Sequence, residues 1–173
     1  MPRLPESDRV AGARDYGRFW GAAAAILLVD QLAKLAVRHW LSLGVSLPVI
    51  PRILDLTHVQ NPGAAFGVFP GGTAAFLVVS LGVCSFLGAA GPRLCLGRPL
   101  LFWALSCQFG GALGNLLDRL VFGAVTDFLD FHVWPVFNLA DCALTVGAGL
   151  LILYLIRYER RAVAKEGSTC DPS

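Results

Sequence analysis

The stretch TAAFLVVSLGVCSFLGAA, residues 73–90, contains no charged side chain and is nearly long enough to cross the hydrocarbon core of a bilayer. Three further stretches of similar length are mainly apolar, namely residues 19–37, 99–117 and 139–156. A membrane-spanning helix needs about 20 such residues. The sequence therefore predicts four transmembrane helices.

The composition agrees with a membrane protein. Of the 173 residues, 55% are hydrophobic and only 15% are charged, whereas a soluble domain carries about 25% charged residues. This hydrophobicity excludes an intrinsically disordered chain, and the net charge of +2 without a dense basic face argues against nucleic-acid binding. The sequence contains no C-x-x-C pair and no histidine at metal-ligand spacing, so no metal site is predicted.

The basic residues predict how the four helices are oriented. Ten arginines and lysines lie in the segment before residue 19, the loop between the second and third helices, and the segment after residue 156, against three (Arg38, Arg52 and Arg119) on the other side. The positive-inside rule then places both termini in the cytoplasm. The predicted organisation is a tail at 1–18, a transmembrane domain at 19–156 and a second tail at 157–173. The outward loop of residues 38–72 alternates apolar and other residues, a pattern compatible with short strands on the membrane surface.

Several polar residues interrupt the apolar stretches, which is costly in a bilayer and needs a reason. Asp30 and Lys34 are spaced to form an i,i+4 ion pair on one helix face, and this pair is also compatible with organising a site. The run Asn61-Pro62-Gly63 indicates a turn before the second helix.

A glycine-rich motif ends the third apolar stretch. Gly110 and Gly114 form a G-x-x-x-G pattern, which allows another helix to approach closely. Asn115, Asp118 and Arg119 follow on the last turn and just beyond it, where Asp118 and Arg119 are also explained by an interfacial ion pair without a chemical role.

Two aspartates flank the start of the fourth helix. Asn138 and Asp141 have the spacing of a capping box, which alone would explain Asp141 but not Asp127 in the preceding loop. Two nearby carboxylates can share one proton, so that one activates water while the other hydrogen-bonds a peptide carbonyl. Asp127 and Asp141 are therefore candidates for an acid–base pair.

Five motifs in order resemble the bacterial lipoprotein signal peptidase (signal peptidase II) family. They are Asp30-Gln31-x-x-Lys34, Asn61-x-Gly63-x-Ala65-Phe66, Gly110-Gly111-x-x-Gly114-Asn115-x-x-Asp118-Arg119, Val125-x-Asp127-Phe128 and Phe137-Asn138-x-Ala140-Asp141. The resemblance implies an all-α integral membrane fold of four helices, with a small periplasmic β-cradle between helices 1 and 2. It also implies an intramembrane aspartic endopeptidase that removes signal peptides from diacylglyceryl-modified prolipoproteins, cutting before the lipidated cysteine.

The resemblance assigns roles to individual residues. Asp127 and Asp141 would be the catalytic pair, Asp118 would be structural, and the supporting residues would be Asp30, Lys34, Asn61, Asn115, Arg119 and Asn138. No metal or organic cofactor is required. The expected partners are lipid-modified prolipoproteins, membrane lipids and globomycin-type inhibitors. The expected location is the bacterial inner membrane, with the active site at the periplasmic face. A monomer suffices for this function.

Two alternatives fit the same residues. In a small proton-coupled carrier, Asp30, Lys34, Asp127 and Asp141 would form a proton relay. Against this, no internal repeat is detectable, and the acidic residues cluster at one side of the membrane. In a non-enzymatic assembly factor, the charges would only bind partner helices, and Asp→Asn changes at 127 and 141 would leave function intact.

Overall fold

Four helices and three strands form the part of the chain that the computed structural model describes, residues 6–63 and 72–168, with side chains described for residues 15–63 and 75–158. In chain order they are α1 (Glu6–Trp40), β1 (Ser46–Ile50), β2 (Leu54–Asn61), α2 (Gly72–Leu94), α3 (Pro99–Phe122), β3 (Val125–Asp130) and α4 (Leu139–Ser168). Each helix contains a segment long and apolar enough to cross a membrane: Asp15–Trp40, Ala75–Leu94, Pro99–Phe122 and Leu139–Tyr158. The prediction of four transmembrane helices is confirmed.

The helices are longer than the apolar stretches. Helix α1 begins inside the predicted N-terminal tail, and α4 continues into the predicted C-terminal tail. Helix α3 ends at Phe122, so Asp118 and Arg119 lie within the helix and not beyond it. The helix stops at Gly123, whose φ of 73° is left-handed and whose N–H donates to the carbonyl of Arg119 at 3.1 Å.

Helix α3 is the most buried of the four and packs against each of the others. Aromatic rings support its first half, where Phe109 stacks on Phe19 of α1 with ring centroids 6.0 Å apart and meets Trp20 edge-on at 5.3 Å. Within the described residues, no Cα atom of α2 lies within 8 Å of a Cα atom of α4, although both helices pack against α3.

Glycines permit this close packing, as the G-x-x-x-G pattern predicted. A Cβ atom on Gly110 would lie 2.8 Å from the carbonyl oxygen of Ala23 on α1, and one on Gly111 would lie 2.6 Å from that of Ala140 on α4. These distances are far inside van der Waals contact. Helix α3 therefore approaches the backbones of α1 and α4 only because these positions lack side chains.

Gly111→Ala is expected to lower the free energy of unfolding by about 1–3 kcal/mol, because the added methyl group must push α4 away. Gly82→Ala is the matched control, since Gly82 is also helical but has open space around it. Its expected effect is neutral or slightly stabilising, since alanine favours a helix over glycine. Unfolding in detergent micelles measures both, and equal stability of the two variants would contradict the packing described.

The three strands form one antiparallel sheet in the order β1-β2-β3. Strands β1 and β2 come from the loop between α1 and α2, where short strands were predicted, whereas β3 comes from the loop between α3 and α4. The third strand was not predicted, because its residues Val125 to Phe128 are all buried and show no alternation between buried and exposed positions. As a result, Asp127 lies on a strand and not in a loop.

Candidate active site

Buried polar side chains gather where the C-terminal parts of α1 and α3 meet β3 and the start of α4. The described residues of this cluster that are nearly or completely inaccessible to solvent are Asp30, Lys34, Asn115, Asp118, Thr126, Asp127 and Asn138. Four separate segments supply them. Because each buried polar group needs a partner, their contacts determine what the cluster can do.

Asp127 lies on β3 and is 2% exposed. The side-chain amide of Asn138 donates to its Oδ1 at 2.6 Å, and that of Asn61 donates to its Oδ2 at 3.0 Å. Asn61 reaches it because β2 and β3 pair with Asn61 opposite Val125, which makes Asn61 and Asp127 diagonal neighbours on one face. The described part of the motif that begins at Asn61 thus contacts an aspartate, while Ala64, Ala65 and Phe66 lie outside the described residues.

Asp141 lies in the first turn of α4, and its contacts with Asn138 form the predicted capping box. The backbone N–H of Asn138 donates to Asp141 Oδ2 at 3.2 Å, and the backbone N–H of Asp141 donates to Asn138 Oδ1 at 2.9 Å. Asn115 on α3 donates from Nδ2 to Asp141 Oδ1 at 2.8 Å. The carboxylate is thereby oriented by two helices.

Asn138 contacts both aspartates at once. Its side-chain N–H reaches Asp127 while its backbone N–H reaches Asp141, so the two carboxyl groups face a common donor. The structure confirms the capping box of Asn138 and Asp141. Because Asn138 also contacts Asp127, this cap is compatible with an acid–base pair of Asp127 and Asp141.

Electrostatics distinguish Asp127 from an ordinary surface carboxylate. Burial raises the pKa of Asp127 to about 6, and repulsion from the nearby Asp141 adds to this rise. The hydrogen bonds from Asn61 and Asn138 and the charge of Lys34 lower the pKa and offset part of the effect. The group is therefore poised to gain or lose a proton near neutral pH.

Lys34 and Asp30 form the predicted i,i+4 ion pair, with Nζ 2.9 Å from Oδ2 and both side chains fully buried. Lys34 also donates to Asn115 Oδ1 at 2.9 Å. Because this bond occupies the amide oxygen of Asn115, its N–H group is directed at Asp141. Asp30 accepts from the backbone N–H of Ala140 at 2.8 Å, which joins α1 to the start of α4.

Asp118 connects the cluster to β3. Its Oδ2 accepts from the backbone N–H of Thr126 at 2.9 Å and lies 3.5 Å from Lys34 Nζ. Arg38 lies 3.5 Å from Oδ1, and Gln31 donates to Oδ1 at 3.2 Å. These contacts agree with the structural role expected for Asp118.

Arg119, expected to support the aspartate pair, makes no direct hydrogen bond to either aspartate among the described residues. Its Nη1 lies 3.5 Å from both Ser80 Oγ and the carbonyl of Asn115, and its guanidinium lies over the ring of Phe76 at 5.6 Å. Its Nε is buried and has no hydrogen-bond partner in the described structure. Arg119 therefore borders the cluster and reaches it only through the backbone carbonyl of Asn115 among the described residues.

Three participants were missed by sequence reasoning: Gln31, Arg38 and Thr126. Gln31 donates to Asp30, to Asp118 and to the carbonyl of Gly114. The available signal was periodicity, since Arg38 follows Lys34 by one helical turn and so lies on the same face of α1. Thr126 had no such signal. Among the side chains described, those of residues 15–63 and 75–158, no group of three histidines, cysteines or acidic residues is arranged to hold a metal ion.

Comparisons with known proteins match this chain to one family. The family model described as Signal peptidase (SPase) II matches residues 22–157. A lipoprotein signal peptidase of Halothermothrix orenii is 45% identical over 135 residues, which cover 78% of this chain and 92% of the relative. One of Moorella thermoacetica is 47% identical over 134 residues, covering 78% and 89% of the two chains.

Two solved structures have a similar fold, and both are described as bacterial membrane enzymes. One matches with a TM-score of 0.74 at 32% identity and covers 80% of this chain and 92% of its own. The other matches with a TM-score of 0.73 at 30% identity and covers 91% and 93%.

Proposed function

The chain belongs to the signal peptidase II family, and we propose that Asp127 and Asp141 are the catalytic pair of its peptidase reaction. The protein is a multi-pass bacterial membrane enzyme, an aspartic peptidase that removes signal peptides from prolipoproteins. Family membership favours this function over the proton-coupled carrier and the assembly factor. The observation that supports the catalytic pair best is that one residue, Asn138, donates to both carboxyl groups.

The proposed mechanism uses one proton shared by the pair. Two carboxyl groups that repel each other do not both ionise easily, so one is protonated while the other is a base. The ionised carboxylate removes a proton from water as the water attacks the scissile carbonyl, and the protonated carboxyl hydrogen-bonds that carbonyl and then protonates the leaving amine. Asn61, Asn115 and Asn138 orient the pair through their N–H groups.

Asp30 and Lys34 complete the proposed site by holding Asn115 and the first turn of α4. Arg119, which borders the pair with an unused buried N–H, would bind the substrate or the developing oxyanion. No residue of the mechanism needs a metal or an organic cofactor.

The separation of α2 and α4 supports a lateral route for the substrate. Because no Cα atoms of these two helices come within 8 Å of each other in the described structure, a peptide whose lipid remains in the bilayer can approach α3 between them. We propose that the substrate is a diacylglyceryl-modified prolipoprotein, cleaved just before the lipidated cysteine, and that a globomycin-type inhibitor covers the same aspartates. A monomer suffices for this route.

The proposed orientation places this end of the bundle at the periplasmic face and both termini in the cytoplasm. Of the three basic residues on the outer side, Arg38 is paired with Asp118 and Arg119 is partly buried over Phe76, which leaves Arg52 in a turn. The other ten basic residues outside the apolar stretches lie in segments assigned to the opposite side, as the positive-inside rule requires.

A cleavage assay tests the proposed substrate. Purified enzyme in detergent is incubated with a prolipoprotein carrying the diacylglyceryl group and with the same protein unmodified, and mass spectrometry identifies the new N-terminus. Cleavage before the cysteine of the lipidated substrate alone is expected. Equal cleavage of both substrates, or a cut elsewhere, would contradict the proposed specificity.

Asp127 is also expected to make stability depend on pH. Its folded pKa of about 6 exceeds the ordinary aspartate pKa of 3.8, so the folded state binds the proton more tightly and ionisation of Asp127 opposes folding. Relative to Asp127→Asn, the wild type should lose about 2 kcal/mol of unfolding free energy between about pH 4.5 and about pH 7.5.

Unfolding in detergent across this pH range measures the difference between the two proteins. Asp130→Asn is the control, because the backbone N–H of His132 lowers the pKa of Asp130 on the same strand. Relative to this variant, the wild type should gain stability as the pH rises, the opposite of the effect expected for Asp127. If the difference in unfolding free energy between wild type and Asp127→Asn does not change with pH, the pKa of Asp127 is not raised by folding.

A further inference from the structure

Arg38 lies near the end of α1, one turn after Lys34, and has no role in the proposed reaction. Its Nη1 donates to the hydroxyl of Thr126 at 2.9 Å and lies 3.5 Å from Asp118 Oδ1. The guanidinium also lies over the ring of Phe122 at 4.5 Å, and only 17% of the side chain is exposed. Three contacts from two elements therefore hold this arginine in one orientation.

Thr126 is held from two sides. Its hydroxyl accepts from Arg38, and its backbone N–H donates to Asp118 Oδ2 at 2.9 Å. The residue is completely buried and directly precedes Asp127. Any shift of Thr126 would therefore move the backbone that carries the Asp127 carboxyl group.

The sheet pairing is interrupted directly beside this position. Strands β2 and β3 pair regularly from Asn61 to Val59, which is opposite Asp127, and the register shifts between Val59 and Leu56. On the other side of β2, every residue of β1 is exposed. The contacts to Arg38 and Asp118 attach β3 to α1 and α3, the helices that carry Lys34 and Asn115.

We propose that Arg38 is a positioning residue, which acts through Thr126 to set the place of Asp127 relative to Asp141. The inference rests on the proposed catalytic pair. Arg38 does not contact either aspartate in the described structure, so its removal should leave the binding of substrate unchanged and disturb the geometry of the reaction. Small displacements of reacting groups can lower rates by about a hundredfold.

Four variants test this proposal. Thr126→Val removes only the hydroxyl, and Thr126→Ser retains it; Arg38→Met removes the guanidinium; the fourth variant combines Arg38→Met with Thr126→Val. We expect Thr126→Val and Arg38→Met each to lower kcat about tenfold with KM within about twofold, and Thr126→Ser to keep nearly full activity. Both changes remove the same contact, the hydrogen bond between Arg38 and Thr126. The double variant should therefore be no slower than Arg38→Met alone.

His39→Gln is the control, since His39 is the next residue on α1 and is exposed. If Arg38→Met does not fold, Thr126→Val still tests the contact, because Asp118 retains Lys34, Gln31 and the Thr126 N–H. Unchanged kcat in Thr126→Val, multiplied losses in the double variant, or a rise in KM alone would overturn the proposal. Activity of Asp127→Asn in the same assay would instead overturn the catalytic pair.

Discussion

Replacing Asp127 or Asp141 with asparagine is expected to lower kcat by at least about a thousandfold. Asparagine has nearly the same shape but cannot exchange a proton, so either change removes the acid–base function and leaves most of the site's volume intact. The measurement is the rate of signal-peptide release from a lipidated prolipoprotein in detergent. Because the two groups act as a unit, the double variant should be little slower than either single one.

Asp55→Asn is the matched control. Asp55 is an aspartate on β2 that lies 3.5 Å from His132 and has no contact with the catalytic pair among the described residues. Its variant should retain activity within about twofold, as expected for a residue away from the chemistry. If Asp127→Asn and Asp141→Asn are as stable as the wild type and still cleave the substrate, the assignment of the catalytic pair is wrong.

Lys34→Met is expected to lower the free energy of unfolding by about 3–5 kcal/mol, the cost of leaving buried charges unpaired. Lys34 is completely buried between the carboxylates of Asp30 and Asp118. The change also removes the donor at 2.9 Å from Asn115 Oδ1 and leaves only the N–H of Asn138 at 3.1 Å, so the amide that contacts Asp141 is held less firmly. Activity should fall together with stability.

Two further variants separate charge from packing. Combining Asp30→Asn with Lys34→Met removes one unpaired carboxylate and should restore at least about 1 kcal/mol relative to Lys34→Met alone. Leu35→Met changes the neighbouring residue, which is 58% exposed, and should alter stability by no more than about 0.5 kcal/mol. Wild-type stability in Lys34→Met would mean that the buried carboxylates do not depend on this ammonium group.

Local spacing explains why much of the fold was predictable. A helix that crosses a bilayer must be long and apolar, so the four spans were visible in composition alone. The Asp30–Lys34 pair and the Asn138–Asp141 capping box also follow from local geometry, since each joins residues three or four apart. The glycines of α3 were recognisable because only small residues allow helices to approach so closely.

The ends of the helices and the third strand were harder to predict from the sequence. Helix α3 continues to Phe122 because its apolar last turn remains helical until Gly123 adopts a left-handed conformation. Strand β3 lacks the alternation of an exposed strand because both of its faces are covered over Val125–Phe128. The sequence therefore identified Asp127 by its motif but did not predict that it lies on a strand.

The sequence by itself determined the four membrane helices, because each needs only a long apolar stretch. It also determined the ion pair on α1 and the cap of α4, because each joins residues within about one helical turn. Tertiary structure decided how these parts meet. Asn61 reaches Asp127 across 66 residues and Arg38 reaches Thr126 across 88, and no spacing in the chain indicates either contact. The packing of α3 and the pairing of β2 with β3 create them, because burial leaves each polar group only the partners that the fold brings within reach.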